Sequence, residues 1–247
     1  MIKIDELTNP AAYYDIEEGI KIVFSSAGNP KTLTPILKQH GIKVVHIVSS
    51  SKFAAKSEAA GVDAVVAEGF EAGGHNGREE TTTLVLIPLI RKSTNLPLIA
   101  AGGISDGRSM LASFALGAEG VQMGTRFVAS VESSGHQAFK DRVVNAAEGE
   151  TMLLLKQLTP VRLMRNKFFE DIYNAEQRGA TPEELKQILG RARAKKGMFE
   201  GDMEEGELEI GQVAAGVKEV KPAGEIVREV WEEFVSALSE LKALKVS

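Results

Sequence analysis

Apolar positions along the first half of the chain come in short runs that end at glycine, each followed by a stretch with helical spacing. Ile20-Lys21-Ile22-Val23-Phe24-Ser25-Ser26-Ala27-Gly28 reads as a β-branched strand closed by glycine, with Asn29-Pro30 as a turn. Thr32 to His40 carries Leu33, Ile36 and Leu37 on one helical face, and Gly41 suits a C-cap. The same unit recurs. Ile42 to Val48 is a strand, Ser49-Ser50-Ser51 a cap, and Lys52 to Ala60 a helix that stops at Gly61. Ala64 to Ala67 is the third strand, with a long loop to Thr83 and a helix through Leu84, Ile87, Leu89 and Ile90. Leu98 to Ala101 follows Pro97, with a helix from Asp106 to Leu116 ending at Gly117, and Gly120 to Met123 is the fifth strand. Strands alternating with helices in this way predict a parallel sheet with right-handed crossovers. Before them, Met1-Ile2-Lys3-Ile4 reads as a short strand and Asn9-Pro10 as a turn.

After Phe127 the rhythm changes to helical intervals, and no further strand is predicted. Thr181-Pro182-Glu183-Glu184 is a helix start, with threonine as cap, proline in the first turn and glutamate three residues after the cap. Gly206 to Gly211 reads as a loop, and Ile226 to Leu244 as a terminal helix with Val230, Phe234, Leu238 and Leu241 along one side. The pattern therefore predicts an α/β barrel arc over residues 1–130 and a helical subdomain with terminal helices over 131–247.

Composition narrows the function. The 247 residues, 43% hydrophobic, suffice for one barrel-sized domain with a substantial core. A formal charge of −5 without a dominant basic patch argues against nucleic acid, and Arg191 to Lys196 reads as a solvated helix face. The absence of cysteine excludes disulfides and thiolate chemistry and fits a cytoplasmic protein. No apolar run reaches the roughly 18 residues of a membrane span.

Three strand-to-glycine junctions between Val62 and Arg126 carry the candidate chemistry. They are Ala67-Glu68-Gly69-Phe70-Glu71-Ala72-Gly73-Gly74-His75, Ala100-Ala101-Gly102-Gly103-Ile104 and Gln122-Met123-Gly124-Thr125-Arg126-Phe127. Backbone free of Cβ atoms at the end of a buried strand can approach a phosphorylated cofactor closely. None of the three contains G-x-G-x-x-G, so a dinucleotide fingerprint is absent. His75, among glycines, suits an exposed loop, with two readings, a residue facing a ligand or a structural histidine. His46 reads as a packed strand residue, His40 as a helix-end cation and His136 as structural; four histidines so dispersed offer no metal site. Glu68 and Glu71 form a carboxylate pair with nothing else to support a glycosidase. Arg126 has two readings, a phosphate counter-charge or a partner for a carboxylate.

On these three motifs, in order and at matching intervals, the chain resembles the nitronate monooxygenase family over about Gly19 to Val230. The related flavin-dependent enoyl-acyl-carrier-protein reductases share the same glycine and histidine signatures. The resemblance implies a TIM-type (β/α)₈ barrel carrying FMN, with a small helical domain. It implies that Glu68, Gly73 and Gly74 line the flavin, that Gly102 and Gly103 meet its phosphate side, and that Gln122, Met123, Gly124 and Thr125 complete the phosphate cradle. His75 matches the family's active-site histidine, as the base that removes the proton α to a nitro group or as the donor that holds the nitronate oxygens. The reaction implied is oxidation of a nitronate or nitroalkane by O2 to a carbonyl compound and nitrite.

The family pattern has three further strands before the one matching Ile20 to Ser26. An incomplete barrel of five strands is therefore expected, with two open edges that a second copy could cover. NADH-dependent enoyl reduction and a catalytically silent fragment are the alternative readings.

Overall fold

The computed structural model of the chain describes residues 17–244; the expected strand at Met1-Ile2-Lys3-Ile4 and the Asn9-Pro10 turn lie outside them. The first unit is strand β1, Ile22–Ser25, and helix α1, Pro30–Gln39. The helix starts earlier than its apolar spacing suggests because Asn29 caps it, accepting from the Lys31 amide at 3.3 Å, and Pro30 occupies the first turn. Strand β2, Lys43–Val48, and helix α2, Ser51–Ala59, come next, the helix capped by the Ser50 hydroxyl. Strand β3, Ala64–Glu68, leads through a loop containing a two-residue strand β4, Gly74–His75, to helix α3, Thr83–Arg91. Strand β5, Leu98–Ala101, helix α4, Gly107–Ala115, and strand β6, Gly120–Gln122, complete the repeat. Asp106 and Ser109 close a reciprocal cap at the start of α4.

Strands β1, β2, β3, β5 and β6 form one parallel sheet in that order, a curled half-barrel with helices on its outer face. Both faces of the central strands are covered, which is why they read as continuous apolar runs rather than alternating ones. Val44, Val48, Val65, Ala67, Leu98 and Ala100 pack outward beneath the helices with Leu37, Ile87 and Ile90. Val45, Ala64, Val66 and Ala101 form a separate inner cluster with Ile47 and Ile99. His46 shares the outward face. Its Nδ1 lies 2.8 Å from the Ser25 hydroxyl, in keeping with a packed strand histidine.

Beyond β6 come helices α5, Thr125–Val128, and α6, Gln137–Val144. His136 caps α6, its Nδ1 accepting from the Ala138 amide at 3.2 Å, a structural role. The expectation that no strand follows Phe127 is corrected here: β7, Thr151–Leu154, and β8, Val161–Met164, form an antiparallel hairpin, and β4 pairs with the free side of β8. Each strand is only four residues long, and Arg162 breaks the apolar run of β8, so neither period stands out in the sequence. Helices α7, Lys167–Gln177, and α8, Pro182–Leu189, pack on this hairpin. The cap expected at Thr181 is present, with the Thr181 amide donating to Glu184 at 2.7 Å. The terminal helix α9, Ala223–Lys242, returns to the half-barrel and packs along α4, where Phe234 meets Phe114 at 5.5 Å between ring centroids. A Cβ on Gly107 would lie 2.1 Å from the Phe234 amide nitrogen, so this helix crossing requires glycine.

Candidate active site

The three glycine junctions converge. At the C-terminal ends of β3, β5 and β6 they enclose a cavity of about 90 Å³ lined by Glu68, Gly73, Gly102, Gly103, Gln122, Gly124 and Thr125, with Glu71 and Val213 completing the wall. Gly102 and Gly103 have φ of +87° and +71°, a left-handed turn that presents backbone rather than side chain to the space. A Cβ on Gly102 would also meet the Gly69 carbonyl oxygen at 2.7 Å. Gly124 is different, with ordinary φ and open space where its Cβ would be.

Two expected members of the cradle lie elsewhere. Met123 turns toward the outer core and an apolar groove beside α9, with Met110 and Trp231. Gly74 is buried beneath the Glu209 carboxylate, where a Cβ would sit 2.6 Å from Oε2. Arg126, open to two readings in the sequence, is buried, and its guanidinium donates to the Glu219 carbonyl at 3.3 Å; among the described residues it pairs with no carboxylate.

The cavity has a wall that the sequence pattern did not foretell. The 206–216 segment crosses the mouth of the half-barrel. The Gly211 amide donates to the Thr125 hydroxyl at 3.0 Å and the Gln212 amide to the Glu71 carbonyl at 3.0 Å. Thr125 Oγ therefore accepts from the segment and keeps its own proton for a ligand. Gly73 packs so closely against this segment that a Cβ would lie 2.4 Å from the Ile210 carbonyl carbon.

Two carboxylates share the cavity without acting alike. Glu71 is committed: it accepts from the Thr83 amide at 3.0 Å and lies 3.0 Å from the Thr83 hydroxyl. Glu68 stands at the end of β3, and burial pushes its pKa up to about 7.

Glu68 also lines a second cavity of about 280 Å³, shared with His46, Ser49, His75 and Asn76. His75 is exposed, and it forms the partition between that space and a third of about 300 Å³. Its place is fixed by β8, since His75 stands opposite Val161 and the Asn76 amide donates to the Pro160 carbonyl at 2.8 Å. The third space has apolar walls from Leu155, Leu158, Val161 and Leu189, and carries Glu207 and Glu209. Burial, then the charge of Glu209, push Glu207 up to about 7, while Arg193 opposes them; burial also raises Glu209, against the pull of His75. Neither glutamate was singled out from the sequence, where the segment reads as a loop. The strict alternation Glu207-Leu208-Glu209-Ile210 was the available signal, with Leu208 and Ile210 in the core and both carboxylates on the opposite side.

Comparison with known proteins places the chain in a family. The nitronate monooxygenase family model matches residues 4–233. A probable nitronate monooxygenase of Staphylococcus saprophyticus is 39% identical over 165 residues, covering 62% of this chain and 46% of the relative. Among solved structures, FabK from Thermotoga maritima is 41% identical with a TM-score of 0.89, covering 96% of this chain and 76% of its own. A nitroalkane oxidase from Streptomyces ansochromogenes is 27% identical with a TM-score of 0.75, covering 93% and 68%. The chain spans about half the length of the curated relatives it matches, 46% and 53% for two of them. With the model matched over nearly all of its length and the junctions gathered around one cavity, the chain belongs to the nitronate monooxygenase family.

Proposed function

We propose that the chain carries the flavin and substrate sites of an FMN-dependent nitronate monooxygenase, acting on a small alkyl nitronate or nitroalkane with O2. The observation that carries this reading is the convergence of three glycine junctions on one cavity bounded mainly by backbone. The residues fit the cofactor's phosphate. Gly102 and Gly103 turn through positive φ and present backbone to the space, Gly124 leaves open space, Thr125 has a hydroxyl proton to give, and burial raises the pKa of Glu68. Gln122 and Gly73 close the sides.

Bound FMN would supply the electron acceptor, which no side chain of this chain can replace. The protein's own part is position and proton control. His75, at the partition between the two larger cavities, would take the α-proton of a nitroalkane on its imidazole, or donate to the nitronate oxygens once that proton is gone. Glu68, between the cradle and the His75 cavity, would keep the region between them close to neutral.

The test is spectroscopic and kinetic. Protein purified with FMN should be yellow, and it should consume O2 and release nitrite with propyl-2-nitronate. His75→Ala should retain the flavin and lose at least about tenfold in turnover of the neutral nitroalkane. Protein that stays colourless in excess FMN would overturn the reading and favour a silent fragment. The apolar walls at Leu155, Leu158, Val161 and Leu189 support a second reading, enoyl-thioester reduction with NADH. Oxidation of NADH with a crotonyl thioester, and no nitrite from the nitronate, would decide for it.

A further inference from the structure

Along one edge of β8 two chain segments succeed each other in register. His75 stands opposite Val161, Gly74 opposite Arg162, and Glu209 opposite Leu163, the last in an antiparallel bridge anchored by the Met164 amide donating to the Leu208 carbonyl at 2.9 Å. Side chains alternate across a sheet, so residues two places apart share a face. Val161 and Leu163 lie together in one apolar cluster, and His75 and Glu209 line the same cavity beside it. The residue between them is Gly74, with φ of +76° and the Glu209 carboxylate directly over it. Any side chain at 74 would displace that carboxylate.

We propose that Glu209 is a positioning residue for His75, reaching across Gly74 to hold the imidazole and to stabilise its protonated form after it has taken a proton. This rests on the reading of His75 as the group that faces substrate. Glu209 is buried and its carboxyl feels the charge of His75, whose ring stands exposed beside it. Other charged groups also face His75. Glu207 and Arg193 share its space on one side, Glu68 and Lys56 on the other, with His46 the remaining titratable neighbour there. Glu209 differs from all of these in being fixed to the same strand edge as the histidine.

The experiment compares Glu209→Gln, Glu209→Asp and Glu207→Gln with the parent, monitoring the His75 ring by NMR against pH and kcat/KM for a neutral nitroalkane against pH. An anion beside an imidazole favours its charged form, so Glu209→Gln should move the His75 midpoint and the acid limb of kcat/KM downward. It should lower kcat more than it raises KM. Glu209→Asp should restore part of both, and Glu207→Gln should move the midpoint less. A His75 midpoint unchanged in Glu209→Gln, or moved as far by Glu207→Gln, overturns the proposal. If Glu209→Gln does not fold, the Glu209→Asp midpoint decides alone, since a shorter carboxylate must still shift it. The two readings separate cleanly: full nitroalkane turnover in His75→Ala would refute the catalytic role of His75 while leaving the NMR result to judge the Glu209 contact.

Discussion

A carboxyl is cheap to bury while it keeps its proton and costly once it gives that proton up, and Glu68 is such a group. Its ordinary pKa of about 4.5 describes the unfolded chain and its folded value is about 7. Between these two values the native state holds a proton that the unfolded state has released. Stability therefore falls as pH rises through that window, and above it the full penalty of a buried charge remains. Glu68→Gln should leave stability little changed at pH 4 and raise it at pH 8 by at most about 3 kcal/mol, read from urea unfolding at both pH values. If the cradle takes a flavin phosphate as proposed, binding should be proton-linked, because a phosphate nearby should draw a proton onto Glu68. Calorimetry at pH 7.5 in buffers of different ionisation enthalpy should show proton uptake that Glu68→Gln abolishes. The glycines separate stability from binding in the same way. Gly102→Ala, strained at φ +87° and colliding with the Gly69 carbonyl, should lose about 1–3 kcal/mol of stability and, on the proposed function, the ability to hold a flavin. Gly124→Ala, with ordinary φ and open space, should melt like the parent yet, on the proposed function, bind FMN more weakly. The sequence showed both as glycines after a strand, but only φ and the space at each Cβ tell them apart.

At the scale of elements, the five parallel strands were legible because each is a short apolar run closed by glycine or, after β2, by serines, and α2 because the Ser50 cap marks its start, while the Asn29 cap of α1 read only as a turn. The small sheet was not legible. β4 is two residues long, and β8 holds an arginine where the pattern calls for an apolar residue. That arginine gives the sheet its purpose. Arg162 is almost wholly buried, donates to the Phe70 carbonyl from Nη2 at 2.8 Å and from Nε at 3.2 Å, and stacks on the Phe70 ring at 4.4 Å. It clamps the junction after β3 to the hairpin, so the loop that brings His75 into place is held from both ends. Arg162→Met keeps volume but removes both charged hydrogen bonds; a loss of about 2–3 kcal/mol is expected. Limited proteolysis should then cut first between residues 70 and 83. Cleavage at the chain ends alone, with an unchanged midpoint, would show that the clamp does not hold the loop.

At the scale of the molecule, the half-barrel has two end strands, β1 and β6, and its inner face is covered unevenly. Ile22 and Phe24 alternate with Val23 on β1, so they share the inner face, and they are 55% and 50% exposed, with Ile20 nearby at 40%. The corresponding inner residues of β2 and β3, Val45 and Val66, are buried. Burying an apolar side chain of this size contributes about 1.5–3 kcal/mol, so a patch of three on an end strand of the described sheet favours association. We propose that a second copy of the chain covers this edge. Light scattering over a concentration series should show a rising mean mass, and Ile22→Lys with Phe24→Lys should hold the protein at the mass of one chain without altering its circular dichroism. Because both residues lie on the strand farthest from β6 in the sheet order, and outside the lining of the glycine cradle, the double variant should leave the proposed phosphate site unchanged. Loss of flavin together with loss of association would instead mean that the second copy helps to close the cofactor site. A parent that is monomeric at every concentration would remove self-association as the means of covering the edge.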